Sequence, residues 1–239
     1  MTSVKVDGVQ TLAPLIAIVG CDGSGKSTLA ADLVKWMAEG RPTQYSYLGL
    51  KSGNMGNRIK SWPIIGKAFE AYLANKAGQA RDKSAVIPGA VTALAIFIFS
   101  RIRRRRFNAM MALRRKSVLV ITDRYPQIEV PGFYDGPGLS AARAEGAIVK
   151  WLSARELEMY ERMAAIVPNL VIRLNIDIDT AMTRKSDHKR ELLLAKIAVT
   201  PQLKFNGANI IDLSSLDPYE RVLADSKRAV LAMLKRDEL

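Results

Sequence analysis

The chain has 239 residues, 49% of them hydrophobic and 25% charged, with 36 Lys and Arg against 23 Asp and Glu for a formal net charge of +13. This size and apolar content suit one α/β domain with a large core, and the charge points to nucleic acid, an anionic membrane or polyanionic small ligands. A single cysteine, Cys21, excludes an internal disulfide and fits a reducing compartment, so a cytoplasmic location is expected, and a lone histidine, His188, gives no zinc-site spacing and no hydrolytic triad.

Residues 1–13 read as a loose polar leader without a secretory signal. The closing Arg236-Asp237-Glu238-Leu239 resembles a retention tail, which is idle without such a signal. Leu15 to Val19 is an apolar strand. Gly20-Cys-Asp-Gly-Ser-Gly-Lys-Ser-Thr28 follows it and matches G-x-x-x-x-G-K-[ST], a loop that turns backbone N–H groups around phosphates. Gly20, Asp22, Gly23, Ser24, Gly25, Lys26, Ser27 and Thr28 are therefore the expected nucleotide-binding residues. Lys26 would reach the outer phosphates and the Ser27 hydroxyl would sit on Mg²⁺. Leu29, Leu33 and Met37 mark one face of the next helix, which Gly40-Arg41-Pro42 ends.

Tyr45 to Leu50 reads as a second strand, and Ile59 to Ala77 as helical with a break at Pro63. Ala85 to Ser100 is almost wholly apolar and leads into Arg101, Arg103, Arg104, Arg105 and Arg106. About 16 residues fall short of the roughly 20 a bilayer needs, so a core helix emerging as a basic surface helix is expected rather than a span. Val118 to Asp123 is a continuous apolar strand closing on an acid, as in a parallel sheet. Asp123 is the expected Mg²⁺ carboxylate, with a turn cap as the plainer role. Arg124 beside it suits a second anion, the phosphate of an acceptor, with a surface ion pair as the plainer role.

Residues 126–139, rich in Gly and Pro, form a long loop. A helix is expected from Ser140, and another from Ser153, where Glu156 three residues on completes a capping box. Leu170 to Ile176 is a strand, Glu191 to Val199 a helix, and Asn209 to Leu213 the last strand. Asp217-Pro218-Tyr219-Glu220 then opens a final helix that buries Leu223, Val230 and Leu234. Between them, Arg184, Lys185, Lys189 and Arg190 surround Asp187 and His188. Such a run is either a solvated face or a mobile lid whose arginines neutralise transferring charge; the pattern allows both.

Taken together, the loop at Gly20–Thr28, Asp123-Arg124-Tyr125, the strand Pro168–Asp179, the basic lid after Thr183 and the closing strand with Asp212 resemble the thymidylate kinases and related nucleoside monophosphate kinases. The resemblance implies a three-layer α/β/α P-loop NTPase fold with a five-stranded parallel sheet, transfer of the ATP γ-phosphate to a nucleoside monophosphate with Mg²⁺, and commonly a homodimer. It implies one domain over 1–239, with an acceptor-side helical region at 51–115 and a lid at 183–192. Arg124 and Tyr125 would face the acceptor, Arg101 would lie near the acceptor's base, and Arg184 would supply the lid's catalytic charge. Two departures stand out. The second strand ends Leu48-Gly49-Leu50-Lys51 where the family has Arg-Glu-Pro-Gly, and Pro126-Gln127-Ile128-Glu129 replaces the family's base-reading residues. The departures weaken thymidylate itself as the acceptor, and the expected acceptor is a nucleoside monophosphate or similar small molecule. A sugar, a nucleoside or another metabolite remains the alternative acceptor, and an ATP-dependent regulator using its basic helix the alternative class. Nucleic acid and membrane are not expected as partners; for nucleic acid, no aromatic series accompanies the arginines.

Overall fold

A computed structural model describes residues 12–49, 89–133, 135–141 and 143–237. The helix expected over Ile59 to Ala77 lies outside the described residues.

Five strands form one parallel sheet in the order β2-β3-β1-β4-β5, with β1 at Leu15–Gly20, β2 at Thr43–Tyr47, β3 at Leu119–Asp123, β4 at Leu170–Asn175 and β5 at Ile210–Ser214. This is the α/β architecture expected from the sequence. Every residue of β1 is buried because both faces of the sheet are covered. Its side chains alternate between two cores. Leu15, Ala17 and Val19 pack with Phe107, Met110 and Met163 on one face, while Ile16 and Ile18 pack with Leu29, Leu33, Val222 and Val230 on the other. The helices α1 (Lys26–Ala38), α2 (Gly89–Arg115), α3 (Ala147–Ala164) and α6 (Tyr219–Asp237) supply these layers, α2 and α3 below, α1 and α6 above. Each large side chain so buried contributes about 1.5–3 kcal/mol.

Four expectations are corrected. The second strand starts and ends earlier than Tyr45 to Leu50. Thr43 pairs with Leu119 and Tyr47 with Asp123, so the ladder stops where β3 stops. Ser153 caps nothing. Val149, Leu152, Glu156, Met159, Tyr160 and Met163 are buried along one continuous helical face that runs through it. Glu156 is fully buried and accepts hydrogen bonds from the Ser100 hydroxyl (2.5 Å) and the Leu139 amide (2.6 Å), fastening the Gly/Pro loop to α2. At Ser140 there is a single 3-10 turn, Leu139–Ala141, rather than an α-helix. The leader is not loose to its end, since the Ala13 amide donates to the Arg114 carbonyl and Arg114 returns a bond to Ala13.

Among the described residues no helix is long and apolar enough to cross a membrane. α2 begins at Gly89, buries Ala93, Ile96 and Phe99, and turns basic from Arg101 onward.

Two short helices follow β4. α4 (Ile178–Arg184) is capped by Asp177, whose carboxylate accepts from the Thr180 amide at 2.8 Å, and α5 spans Arg190–Val199. Arg173 on β4 grips Asp212 on β5 with two bonds, at 2.6 and 2.8 Å, and donates to the Leu203 carbonyl at 3.0 Å. That anchors the chain between α5 and β5 against the sheet.

Candidate active site

The carboxyl ends of β1 and β3 lie side by side, Ile18 opposite Asp123. The turn after β1 and the acid after β3 therefore open onto one cleft, where ligands of open α/β sheets sit. Local backbone explains the glycines. At Gly20 a Cβ would come within 2.6 Å of both the Leu174 carbonyl and the Ser24 hydroxyl, so the position admits no side chain. Gly25 has φ 89° and heads α1 in the left-handed region, leaving the first amides of the helix without a side-chain cap. Gly23 is left-handed as well. Ser27 and Thr28 are exposed on the first turn of α1. Ser24 is buried, its hydroxyl has no partner, and its carbonyl accepts from Ser215 at 3.0 Å, which ties the turn to the end of β5.

The Lys26 ammonium donates to the Cys21 carbonyl at 2.6 Å. Burial lowers its pKa to about 8, against the pull of the neighbouring Asp22 carboxylate. Asp22 is the opposite case. Burial would raise its carboxyl, but Lys196, Arg124 and Lys26 together hold it well below the usual range. It accepts from Arg124 (3.2 Å) and from Lys196, and His188 lies 3.8 Å away. Asp22→Asn should therefore cost about 1–2 kcal/mol at neutral pH, since two cations lose a partly buried partner. The carboxyl's folded pKa lies below its unfolded one, so its contribution is full above about pH 4 and fades as pH falls. Urea unfolding at pH 7 checks this; equal stability of variant and parent there would contradict it.

Asp123 is 2% exposed, its Oδ1 has no hydrogen-bond partner, and burial pushes its carboxyl up although Tyr45 donates to it. A buried, half-satisfied carboxylate is costly unless a cation completes it. Arg124 follows with φ 54°, a conformation that costs a non-glycine residue about 1–3 kcal/mol. The bend turns its guanidinium between Asp22 and Asp135, 3.9 Å from the latter. Room for it depends on Gly49, where a Cβ would meet Arg124 Cδ at 2.3 Å. Asp135 is in turn held by buried Arg103, with bonds of 2.6 Å to the carboxylate and 2.8 Å to the carbonyl. Burial would raise the Asp135 carboxyl, and the two arginines hold it below its ordinary value.

The structure thus brings together Lys26, Asp123, Arg124 and the loop from Gly20 to Thr28. Arg184 joins them, donating to the Gly23 carbonyl at 3.2 Å and to Ser215 at 3.1 Å. Two expected residues lie elsewhere. Tyr125 is 1% exposed, packs against Phe107 and Phe205 at ring distances of 5.9 and 6.5 Å, and donates its hydroxyl to the Ile166 carbonyl. It is a core residue. Arg101 is exposed on the outer side of α2, while Arg103, two residues on, takes the inward position. Lys196 and Asp135 were not foreseen. Leu193 packs beside Cys21 and helical spacing then sets Lys196 on the same side, but that signal needs the contact to be known first.

In the Gly/Pro loop, Gln127 is spent on the loop itself, bonding Val130 and Phe133 carbonyls at 2.9 and 2.7 Å, and Glu129 accepts from the Lys204 and Asn206 amides. Neither is free to read a base. Among the described residues no cluster of three His, Cys, Asp or Glu could hold a metal unaided. Lone Asp123 with the Ser27 hydroxyl fits a Mg²⁺ ion that takes its remaining oxygens from phosphates and water.

Sheet order, loop and acid together define a protein of the P-loop NTPase-like α/β class. No protein-family model matches the chain. Two Escherichia coli K12 proteins are similar over nearly their whole lengths: "Uncharacterized ATP-binding protein YghS", 48% identical over 221 residues, covering 92% of this chain and 93% of the relative, and "Uncharacterized ATP-binding protein YghR", 42% identical over 217 residues, covering 90% and 86%. The chain belongs to the family of YghS and YghR.

Proposed function

We propose that the protein is an ATP-dependent phosphotransferase that moves the ATP γ-phosphate to a nucleoside monophosphate or a similar small phosphate-bearing acceptor. The observation that carries this reading is the buried, unpartnered Asp123 oxygen beside a glycine-built phosphate turn, with the strained Arg124 next to it. The names of YghS and YghR support the ATP half.

In this reading the free amides of α1 and the turn bind the triphosphate, and Lys26 leaves the Cys21 carbonyl to hold its outer oxygens. Ser27 and Asp123 would hold Mg²⁺, which when bound neutralises charge on the phosphates. Arg124 exchanges Asp22 and Asp135 for the acceptor's phosphate and so aims the attacking oxygen. That oxygen bonds to the γ-phosphorus as the bond to the ADP oxygen breaks, with Arg184 and Lys196 supplying positive charge from the lid side. Since Gln127, Glu129 and Tyr125 are engaged within the fold, a thymine-reading pocket of the thymidylate-kinase kind is not part of the proposal.

A coupled ADP-release assay over monophosphates, nucleosides and phosphosugars tests the reading. Turnover with one phosphate-bearing acceptor class supports it; turnover with nucleosides alone, equal ATP consumption with every acceptor, or none with any, counts against it. Arg184→Ala should lower kcat by about tenfold or more while ATP affinity changes little, as for a group acting in the transition state. A change in ATP affinity alone would remove Arg184 from the chemistry.

A further inference from the structure

On the side of the molecule built by α2 and α3, away from the phosphate turn, lies a groove of about 340 Å³. Phe97, Arg101 and Arg104 line it from α2, and Trp151, Arg155 and Arg162 from α3. Two of these are aromatic and four are cationic. Trp151 is 57% exposed, its ring 6.2 Å from Phe97 and tilted by 43°, with the Arg155 guanidinium 6.0 Å above its centre. Glu158, the one acid in the lining, is shared between Arg155 (3.0 Å) and Arg162 (2.6 Å). Four guanidiniums therefore face one carboxylate. Arg105, also exposed, stands one helical turn beyond Arg101 and carries the charge along α2.

A tryptophan flanked by a planar guanidinium is a stacking platform for a base, and neighbouring arginines suit the phosphates that join bases. The volume is at the low end of small-ligand sites, enough for one nucleotide unit. The arginines spread over two helices and beyond the groove, more charge than one free nucleotide neutralises. A second copy of this face is disfavoured, because an isologous contact would set like charges against each other. The sequence shows the arginines without aromatic neighbours; the fold brings Trp151 to them from a separate helix.

We propose that this groove binds single-stranded nucleic acid, seating one base on Trp151 and the flanking phosphates on Arg101, Arg104 and Arg162. The site is independent of the phosphate turn. Fluorescence anisotropy of a labelled twelve-residue oligouridylate with the intact protein tests it, alongside UMP and phosphatidylserine vesicles as competitors. Affinity should fall with added salt, with a log–log slope of about −2 to −3 for three or four phosphates. Trp151→Ala should weaken binding about tenfold, and Arg101→Glu with Arg104→Glu by more, whereas Arg221→Glu on α6 should not. Thermal unfolding of each variant, expected to match the parent because Arg101, Trp151 and Arg221 are exposed and Arg104 is only half-buried, excludes misfolding as the cause. The proposal is overturned if Trp151→Ala binds like the parent, if ATP with Mg²⁺ displaces the strand, if UMP binds as tightly as the strand, or if vesicles compete better than either.

Discussion

Lys26→Ala is expected to lose about three orders of magnitude in ATP-dependent turnover, the scale seen when a main charge stabiliser is removed from a preorganised site. Lys26 stands in the turn and donates to the Cys21 carbonyl, and burial lowers its pKa to about 8. Burial makes its charge costly there, so the fold gains little stability from it. The variant should therefore unfold at a temperature equal to or above the parent's. A pH dependence follows. A lysine with a lowered pKa must take up a proton when a triphosphate binds above that pKa, so affinity for ATP should be flat below about pH 8 and weaken about tenfold by pH 9. In Lys26→Ala that dependence should vanish. Calorimetric titration at pH 7 and 9 measures both, and an unchanged turnover in the variant would remove Lys26 from the mechanism.

Asp123→Asn should separate function from stability. Turnover is expected to drop about 10²- to 10³-fold and to lose its response to Mg²⁺, because the amide cannot supply the negative oxygen. The ligand-free variant should melt a few degrees higher than the parent at neutral pH, as is common when a strained functional group is relieved. The sign follows from burial. A carboxyl whose folded pKa is raised above its unfolded one weakens the fold as pH rises through that interval, and the penalty is complete above it. The gain from Asp123→Asn should accordingly shrink toward pH 4. Lower stability at pH 7 with normal Mg²⁺ dependence would recast Asp123 as the plain turn cap.

Much of the fold was legible because its signals are local. The run Leu15 to Val19 is apolar on both faces and is followed by glycines at fixed spacing, so strand, turn and helix could be named in order. The acid closing β3 could be read the same way. What failed depends on distant contacts. Ser153 and Glu156 have the spacing of a cap, but Glu156 is drawn inward by Ser100, 56 residues away, and the helix passes straight through. Tyr125 follows the Asp-Arg pair, yet aromatic neighbours from α2 and from Phe205 claim its ring. Lys196 reaches Asp22 across 174 positions of chain. Arg101 and Arg103 look alike in a run of arginines, and only the helical phase of α2 against α3 decides which faces inward.

A triphosphate is expected to nest in the turn after β1 with its metal between Ser27 and Asp123. A crystal structure with a non-hydrolysable ATP analogue and Mg²⁺ tests it most directly. Predicted is density for the phosphates against the amides of residues 23–28, Lys26 moved from the Cys21 carbonyl onto the outer phosphate, and Asp123 turned toward the metal. An empty turn with Lys26 still on Cys21, or an analogue bound elsewhere, would contradict it.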